Sequence, residues 1–194
     1  VFTQKVAYLS TVLLILSPVY FHAYWFFLFK NFLALSLFFC LLIAIRKNSW
    51  WAVILLSLVL PITHQSTTVI AGVIIFIYTI IVWWRKENFW LPLGSWFLLT
   101  SVYLIYHPTV VAKLSAPPVA IFIDWLDFIQ MTWPLLILAT AGLWVLKKEI
   151  LAKTDLFAWF IVVVAFLIFS LPYHERVFLF AIFPLVIFGS VFLS

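Results

Sequence analysis

The stretch that decides the fold is NSWWAVILLSLVLPITHQSTTVIAGVIIFIYTIIVWW, residues 48–84, which contains no Asp, Glu, Lys or Arg. As a single helix it would be about 55 Å long at 1.5 Å per residue, whereas the hydrocarbon core of a bilayer is about 30 Å thick. A proline and a run of polar residues interrupt the stretch at 61–68. We therefore expect a helical hairpin with arms at 49–62 and 66–84, in which the first arm is short for a full span.

The composition of the whole chain places it among integral membrane proteins. Of its 194 residues, 68% are hydrophobic and 9% are charged, against roughly half and a quarter in a soluble globular domain. A soluble chain of this size has too little interior to hide so much apolar surface. In a bilayer the excess faces lipid. The net charge of +5 therefore bears on membrane topology, and we expect no nucleic-acid partner.

Cysteine and glycine are scarce, which limits the chemistry and the packing that we expect. The single Cys40 lies in an apolar run, so the sequence predicts neither a disulfide framework nor a cysteine metal site. Four Gly and no GxxxG pair argue against a bundle built on close glycine-mediated helix contacts. The chain begins with Val1 and ends inside an apolar run, so we expect residues 1–194 to be one transmembrane domain of a longer protein.

The remaining uncharged stretches predict an all-α fold, a polytopic transmembrane bundle of about eight helices. A helix needs about 20 apolar residues to cross a bilayer. The predicted spans are 5–21, 25–45, 49–62, 66–84, 89–107, 128–146, 156–172 and 177–193. An outer turn at 18–25 separates the first two spans, and a longer outer connection at 108–127 precedes the sixth.

The distribution of positive charge supports the hairpin and orients the bundle, because cytoplasmic loops carry an excess of Lys and Arg. With the hairpin, eight of the 11 cations fall on the inner face, namely Lys5, Arg46, Lys47, Arg85, Lys86, Lys147, Lys148 and Lys153. Lys30, Lys113 and Arg176 fall on the outer face. A single helix at 48–84 would split the cations almost evenly, so the hairpin is the better interpretation.

This topology places the titratable residues that could carry chemistry at or near the outer ends of helices. The inner loops are short and basic, which is typical of anchors. Charged groups near membrane depth are costly and are therefore treated as candidate functional residues. All four histidines of the chain fall near the outer face. We interpret two of them, His22 and His107, as interfacial residues.

The strongest candidate site is the segment from Pro172 to Arg176, a short predicted outer turn that also contains His174 and Glu175. The Arg176 guanidinium is a permanent cation whose planar fork suits a phosphate group. His174 could donate to a phosphate oxygen or act as a base, and Glu175 could orient either side chain. The alternative is an ordinary solvated turn at the membrane surface.

Other candidates have equally plain structural alternatives. Lys30 could pair with an anionic headgroup, or extend its side chain outward to the interface. His64 and Gln65 could line a substrate cavity, or satisfy backbone groups that the helix break frees. Asp124 and Asp127, weak candidates for catalysis, could be a metal pair or a general base, or only the wet face of an interfacial helix. We identify no cofactor and no metal site beyond the possibility of a divalent metal there.

Three short segments, together under a fifth of the chain, resemble polytopic membrane glycosyltransferases of the GT-C superfamily. The segment YHERVFLFAIFPL at 173–185 is similar to a late outer loop of those enzymes, where His, acidic and Arg residues precede an aromatic helix with a Pro-Leu. The segments LFKNFLAL at 28–35 and ITHQSTT at 62–68 also resemble parts of such proteins. Mannosyltransferases that use lipid-linked donors show versions of this pattern.

The resemblance implies transfer of a sugar from a polyprenyl-phosphate donor to a glycan or lipid acceptor. The reaction would occur at the extracytoplasmic face of a bacterial or archaeal cell membrane, with Arg176, His174 and Lys30 holding the donor phosphate. These enzymes carry an essential acidic residue in a large first outer loop. This chain has no such loop, so we expect the catalytic base upstream of Val1. The alternatives are a polysaccharide polymerase or ligase, and a membrane transporter.

Overall fold

The structure, a computed structural model, describes residues 3–19, 29–107, 125–146, 154–169 and 174–194. Nearly all of these residues are helical, which confirms the all-α class for this part of the chain. The helices are α1 (Gln4–Ile15), α2 (Phe29–Arg46), α3 (Trp50–Thr63), α4 (Gln65–Trp84), α5 (Trp90–Tyr106), α6 (Trp125–Leu146), α7 (Thr154–Ile168) and α8 (His174–Leu193). Each overlaps one predicted span. Most of the predicted outer turn and of the long connection lies outside the described residues.

Two of these helices are long and apolar enough to cross a membrane, namely Gln65–Trp84 and Leu126–Leu146. They differ in how far the protein buries them: 56% of an 18-residue window is buried in the first and 22% in the second. Several large side chains of α6, such as Trp133 and Ile137, are exposed. A large part of α6 is therefore apolar and open to the surroundings of the protein.

The chain divides into two compact units. Unit 1 comprises Val1–Phe27 and Val119–Ser194 and contains α1, α6, α7 and α8. Unit 2 comprises Leu28–Pro118 and contains α2 to α5. That the chain forms one transmembrane domain stays a prediction, because this division does not test it.

The central helix of unit 1 is α8, which contacts α1, α6 and α7. Because helices surround it, nearly all of its side chains between Val177 and Ser190 are buried. Near the start of α8, Phe178 stacks on Phe128 of α6 with the ring centroids 4.4 Å apart. Farther along both helices, α6 contacts α8 at Phe188. The two helices therefore run in the same direction. In the sequence, α7 comes between them.

A very close contact occurs where α6 crosses α8. A Cβ on Gly142 would overlap the backbone carbonyl of Phe188, so no other residue fits there without a shift of one helix. On α8, Gly189 faces Leu135 and Leu138 of α6. The sequence argues against a bundle built on close glycine-mediated contacts, and this crossing is a local exception to that expectation. One glycine without a GxxxG partner suffices, because the approach requires only one missing side chain.

A proline in α8 removes one helix hydrogen bond, and a tryptophan of α7 replaces it. Pro184 has no N–H, so the carbonyl of Phe180, four residues earlier, loses its usual partner. The indole Nε1 of Trp159 donates to that carbonyl at 3.1 Å in a buried position. The same indole packs beside the rings of Phe180 and Phe183. This hydrogen bond holds α7 at one position along α8.

In unit 2, α5 runs antiparallel to α4. The Gln65 amide at the start of α4 donates to the Tyr103 hydroxyl near the end of α5, at 3.3 Å. Farther along α4, Phe76 packs against Trp96, nearer the start of α5, with the ring centroids 5.0 Å apart. The contacts thus progress in opposite directions along the two helices.

The other arm of the hairpin, α3, runs in the same direction as α5. The hydroxyls of Ser57 and Ser95 share a buried hydrogen bond of 2.9 Å. Later in both segments, the Pro61 carbonyl accepts from His107. Since α4 opposes α5, the two arms α3 and α4 point in opposite directions. The predicted helical hairpin is therefore confirmed, and His64 is the one non-helical residue between its arms.

Two similar turns close the end of unit 2 that lies opposite the break. The N–H groups of Ser49 and Glu87 each donate to a carbonyl five residues earlier, at 3.0 Å. Asn48 and Lys86 precede them in the left-handed region, with φ of 52° and 58°. This is the Schellman ending of a helix, in which Gly is usual and Asn is tolerated. A lysine there is unfavourable, because its Cβ approaches the following carbonyl oxygen.

Candidate functional site

His64 forms the break between α3 and α4 with an extended backbone, φ −159° and ψ 120°. Its imidazole Nδ1 accepts from the Thr67 backbone N–H at 3.3 Å and so caps α4. The hydroxyls of Thr67 and Ser66 lie 2.9 and 3.3 Å from the same nitrogen. A backbone N–H can only donate, so Nδ1 is unprotonated in this arrangement and the ring proton is on Nε2.

Thr68 connects the two arms across the break. Its buried hydroxyl lies 2.8 Å from the carbonyl of His64 and 3.2 Å from that of Leu60. Each of these carbonyls also accepts a backbone N–H, at 3.4 Å from His64 to Leu60 and at 3.1 Å from Thr68 to His64, so the hydroxyl is an additional donor beside those bonds. The cap of the Thr67 N–H by His64 agrees with the interpretation that the polar residues satisfy freed backbone groups. That His64 and Gln65 also line a substrate cavity stays a prediction.

The end of α5 completes this region. The His107 Nε2–H donates to the Pro61 carbonyl at 3.3 Å, and the His107 ring lies 5.1 Å from the ring of Tyr103. The sequence interpretation treated His107 as interfacial and did not single out Tyr103. The contact joins residues 46 positions apart, and no local sequence pattern predicts it. We define the apex cluster as the group of His64, Gln65, Thr68, Tyr103 and His107.

Lys30 lies in the first turn of α2 with an exposed side chain, and its neighbour Asn31 is buried. The turn between α2 and α3 is short, so α2 runs back along α3. The start of α2 therefore lies at the same end of unit 2 as the apex cluster. An exposed Lys30 agrees with the interpretation that its side chain extends outward.

In unit 1, the residues from His174 to Arg176 form the first turn of α8 and not a turn between helices. Their prediction as an outer turn is therefore corrected, and their side chains lie outside the described part. The first turn is the positive end of a helix dipole. Because Phe178 stacks on Phe128, the exposed Asp127 lies at the same end of unit 1. Asp124 lies outside the described residues.

Each unit separates these candidate residues from the basic anchors. In unit 1, the Lys5 ammonium donates to the Ser194 carbonyl at 2.6 Å, so the start of α1 meets the end of α8, opposite His174. In unit 2, the two turns that carry Lys47 and Lys86 lie opposite the apex cluster. If successive helices cross the membrane in alternating directions, the candidate residues and the basic anchors are expected at opposite ends of each unit.

Asp155 is a polar residue that the sequence interpretation did not single out. It lies in the first turn of α7 and is 9% exposed. A carboxylate in the first turn of a helix interacts favourably with the helix dipole. The sequence signal was an Asp directly before an apolar run, which is typical of a helix start and carries no sign of burial.

In the part of the chain that the structure describes, no three His, Cys, Asp or Glu residues are grouped so that they could hold a metal ion. The possible metal pair of Asp124 and Asp127 falls partly outside that region. No protein-family model, curated protein or solved structure matches the chain. The resemblance to the GT-C superfamily therefore rests on its three short segments.

Proposed function

We propose that this chain is a multi-pass protein of a bacterial or archaeal cell membrane, with the candidate ends of both units on the extracytoplasmic face. The hydrophobic share of 68%, the two helices of spanning length and the largely uncovered α6 support membrane insertion. Lys5 in unit 1 and the two basic turns of unit 2 lie at the opposite ends, which supports the orientation, since cytoplasmic loops are rich in Lys and Arg.

The proposed activity is transfer of a sugar from a polyprenyl-phosphate donor to a glycan or lipid acceptor. The observation that carries it is the gathering of scarce polar and ionisable groups at one end of each unit. A lipid phosphate requires cations at headgroup depth, and Arg176 in the first turn of α8 combines a guanidinium with a positive helix end. The part of Lys30 and the apex cluster, which belong to unit 2, stays a prediction.

The proposed roles follow from the chemistry of each group. A base removes the proton of the acceptor hydroxyl, whose oxygen attacks the anomeric carbon of the sugar. The bond from that carbon to the phosphate oxygen breaks, and polyprenyl phosphate leaves with the negative charge. Arg176 and His174 stabilise that charge, and Glu175 orients them. Asp124 and Asp127 are weak candidates for the base, and we assign that role to neither.

The exchange of Arg176 for lysine tests the activity. Arg176→Lys keeps the charge and removes the planar fork. We expect turnover of a polyprenyl-phosphate sugar in proteoliposomes to fall by roughly 10- to 100-fold, the equivalent of one lost charged hydrogen bond of about 1.5–3 kcal/mol. Lys148→Gln, which removes a cation from the predicted inner face, should leave turnover unchanged. Equal turnover of the Arg176→Lys variant and the unmodified protein would rule out the phosphate role.

The transporter alternative finds little support in the described helices. Transporters with inverted repeats carry helix breaks at corresponding positions in both halves. In unit 1, α6 and α8 continue through Pro134 and Pro184 without interruption. Unit 1 has a short interruption at Leu16 and Ser17, between α1 and the helical residues 18–19, but it lacks a polar run like the one at 61–68. The polar groups at the His64 break are satisfied internally.

A further inference from the structure

The end of unit 2 opposite the apex cluster has an exposed surface of aromatic and basic side chains. We name it the collar and define it by Arg46, Lys47, Trp51, Trp84, Arg85 and Lys86. Trp51 is 85% exposed and Trp84 is 81% exposed. Rings of this size remain open to the surroundings beside four cations, although the same chain buries other large apolar side chains completely.

The parts of the collar lie at the same end of unit 2. The helices α2 and α4 contact each other, both end here, and each ends in the same type of turn. Arg85 pairs with Glu87 at 3.1 Å between Nε and Oε1, which offsets one positive charge. Lys47 and Lys86 are exposed. The surface therefore keeps a net positive charge directly beside apolar rings.

Lys86 supplies a second argument that is independent of charge. Its φ of 58° is a conformation that glycine or asparagine adopts more easily. The equivalent position of the other turn holds Asn48, with φ of 52°. An unfavourable residue at a strained backbone position indicates a use for its side chain.

We propose that the collar binds the headgroup of an anionic phospholipid, with Lys47 and Lys86 holding the phosphate and the rings of Trp51 and Trp84 lying at the glycerol level. Lysines near a membrane surface attract anionic lipids, and tryptophan prefers the interface between headgroups and acyl chains. A soluble anion would have no use for the exposed rings. This site is separate from the proposed sugar transfer, which rests on Arg176 of unit 1 and for which unit 2 offers candidates only at its opposite end.

The test compares lipid binding of the whole protein in neutral detergent, by native mass spectrometry, with phosphatidylglycerol and phosphatidylcholine as probes. We expect a preference for phosphatidylglycerol that falls about fivefold for each lysine removed, the equivalent of about 1 kcal/mol. The double variant Lys47→Gln/Lys86→Gln should thus lose most of it. Lys113→Gln, the same charge change on the predicted outer face, should keep it. Equal losses in both variants, or no loss in the double variant, would overturn the proposal.

Lys86→Gly distinguishes lipid binding from damage to the fold. Glycine relieves the strained φ, so the variant should be more stable to heat in lipid-free detergent while its preference for phosphatidylglycerol falls about fivefold. Destabilisation together with the lost preference would instead indicate a structural role and contradict the proposal. So would a dimer in nanodiscs that Lys47→Gln/Lys86→Gln dissociates, because the collar would then be occupied by a second copy of the chain.

Discussion

The imidazole of His64 supplies a capping hydrogen bond at the start of α4, through a nitrogen that must be unprotonated to accept it. A capping role and a substrate role for this residue predict different tolerances to substitution. An asparagine in place of His64 has an amide oxygen close to the position of Nδ1 that can accept the same N–H, whereas alanine has no side-chain acceptor.

We expect His64→Ala to lower the free energy of unfolding in mixed micelles by about 1 kcal/mol, the usual effect of a lost cap. His64→Asn should keep that stability. If the imidazole also contacts substrate, His64→Asn will lose sugar-transfer activity while remaining folded. Unchanged activity of His64→Asn would limit His64 to the capping role, and stable His64→Ala would exclude that role.

The hydrogen bond from Trp159 to the Phe180 carbonyl links two helices. That carbonyl has no donor within α8, because Pro184 has no N–H. Trp159→Phe leaves this buried carbonyl unsatisfied, and we expect a loss of about 1–3 kcal/mol in the free energy of unfolding. Pro184→Ala restores an N–H inside α8, so Trp159→Phe should cost clearly less in that background. A double-mutant cycle measures the difference. Additive effects would show that the indole acts by packing alone, and Trp133→Phe, at an exposed position, serves as a neutral control.

The crossing of α6 and α8 depends on the absence of one side chain. Gly142→Ala places a Cβ against the Phe188 carbonyl, and we expect the free energy of unfolding to fall by about 1–3 kcal/mol. Gly94→Ala is the matched control, since a Cβ at Gly94 meets no atom within 4 Å. That variant should be unchanged or more stable by up to about 1 kcal/mol, because alanine favours the helix. Equal stability of both variants would contradict the close contact.

The positions of the helices were predictable, because they depend on local signals. A proline and a polar run in an otherwise apolar stretch predicted the break at His64, and the charge balance supported the hairpin. The first turn of α8 was misassigned because a charged group after Pro172 resembles a turn, although helices also begin in this way. The crossing at Gly142 was missed because one glycine has no periodic pattern.

The candidate site was predictable only in part. Because the chain has few titratable residues, the predicted membrane topology was enough to predict that Lys30, His64 and Arg176 lie near helix ends. The pairing of His107 with Pro61 was not predictable, since it depends on how α5 packs against the hairpin. The same holds for the burial of Asp155, because its neighbours in the sequence show only that a helix begins there.

The orientation of the whole chain can be tested by thiol labelling. In a Cys40→Ala background, His174→Cys should react with a membrane-impermeant maleimide in intact cells, and Lys86→Cys only after permeabilisation. The predicted topology places the two positions on opposite faces of the membrane. Labelling of both from one compartment, or from the reversed compartments, would remove the basis of the proposed site.

The central place of α8 also affects the order in which unit 1 can be built. Synthesis proceeds from the first residue onward, so the ribosome completes α1, α6 and α7 before the helix that they enclose. In the folded protein the rings of Phe128 and Trp159 pack against α8, so until α8 is made they have no partner surface. A nascent chain that stalls before His174 would therefore present these aromatic faces to the insertion machinery and to membrane proteases.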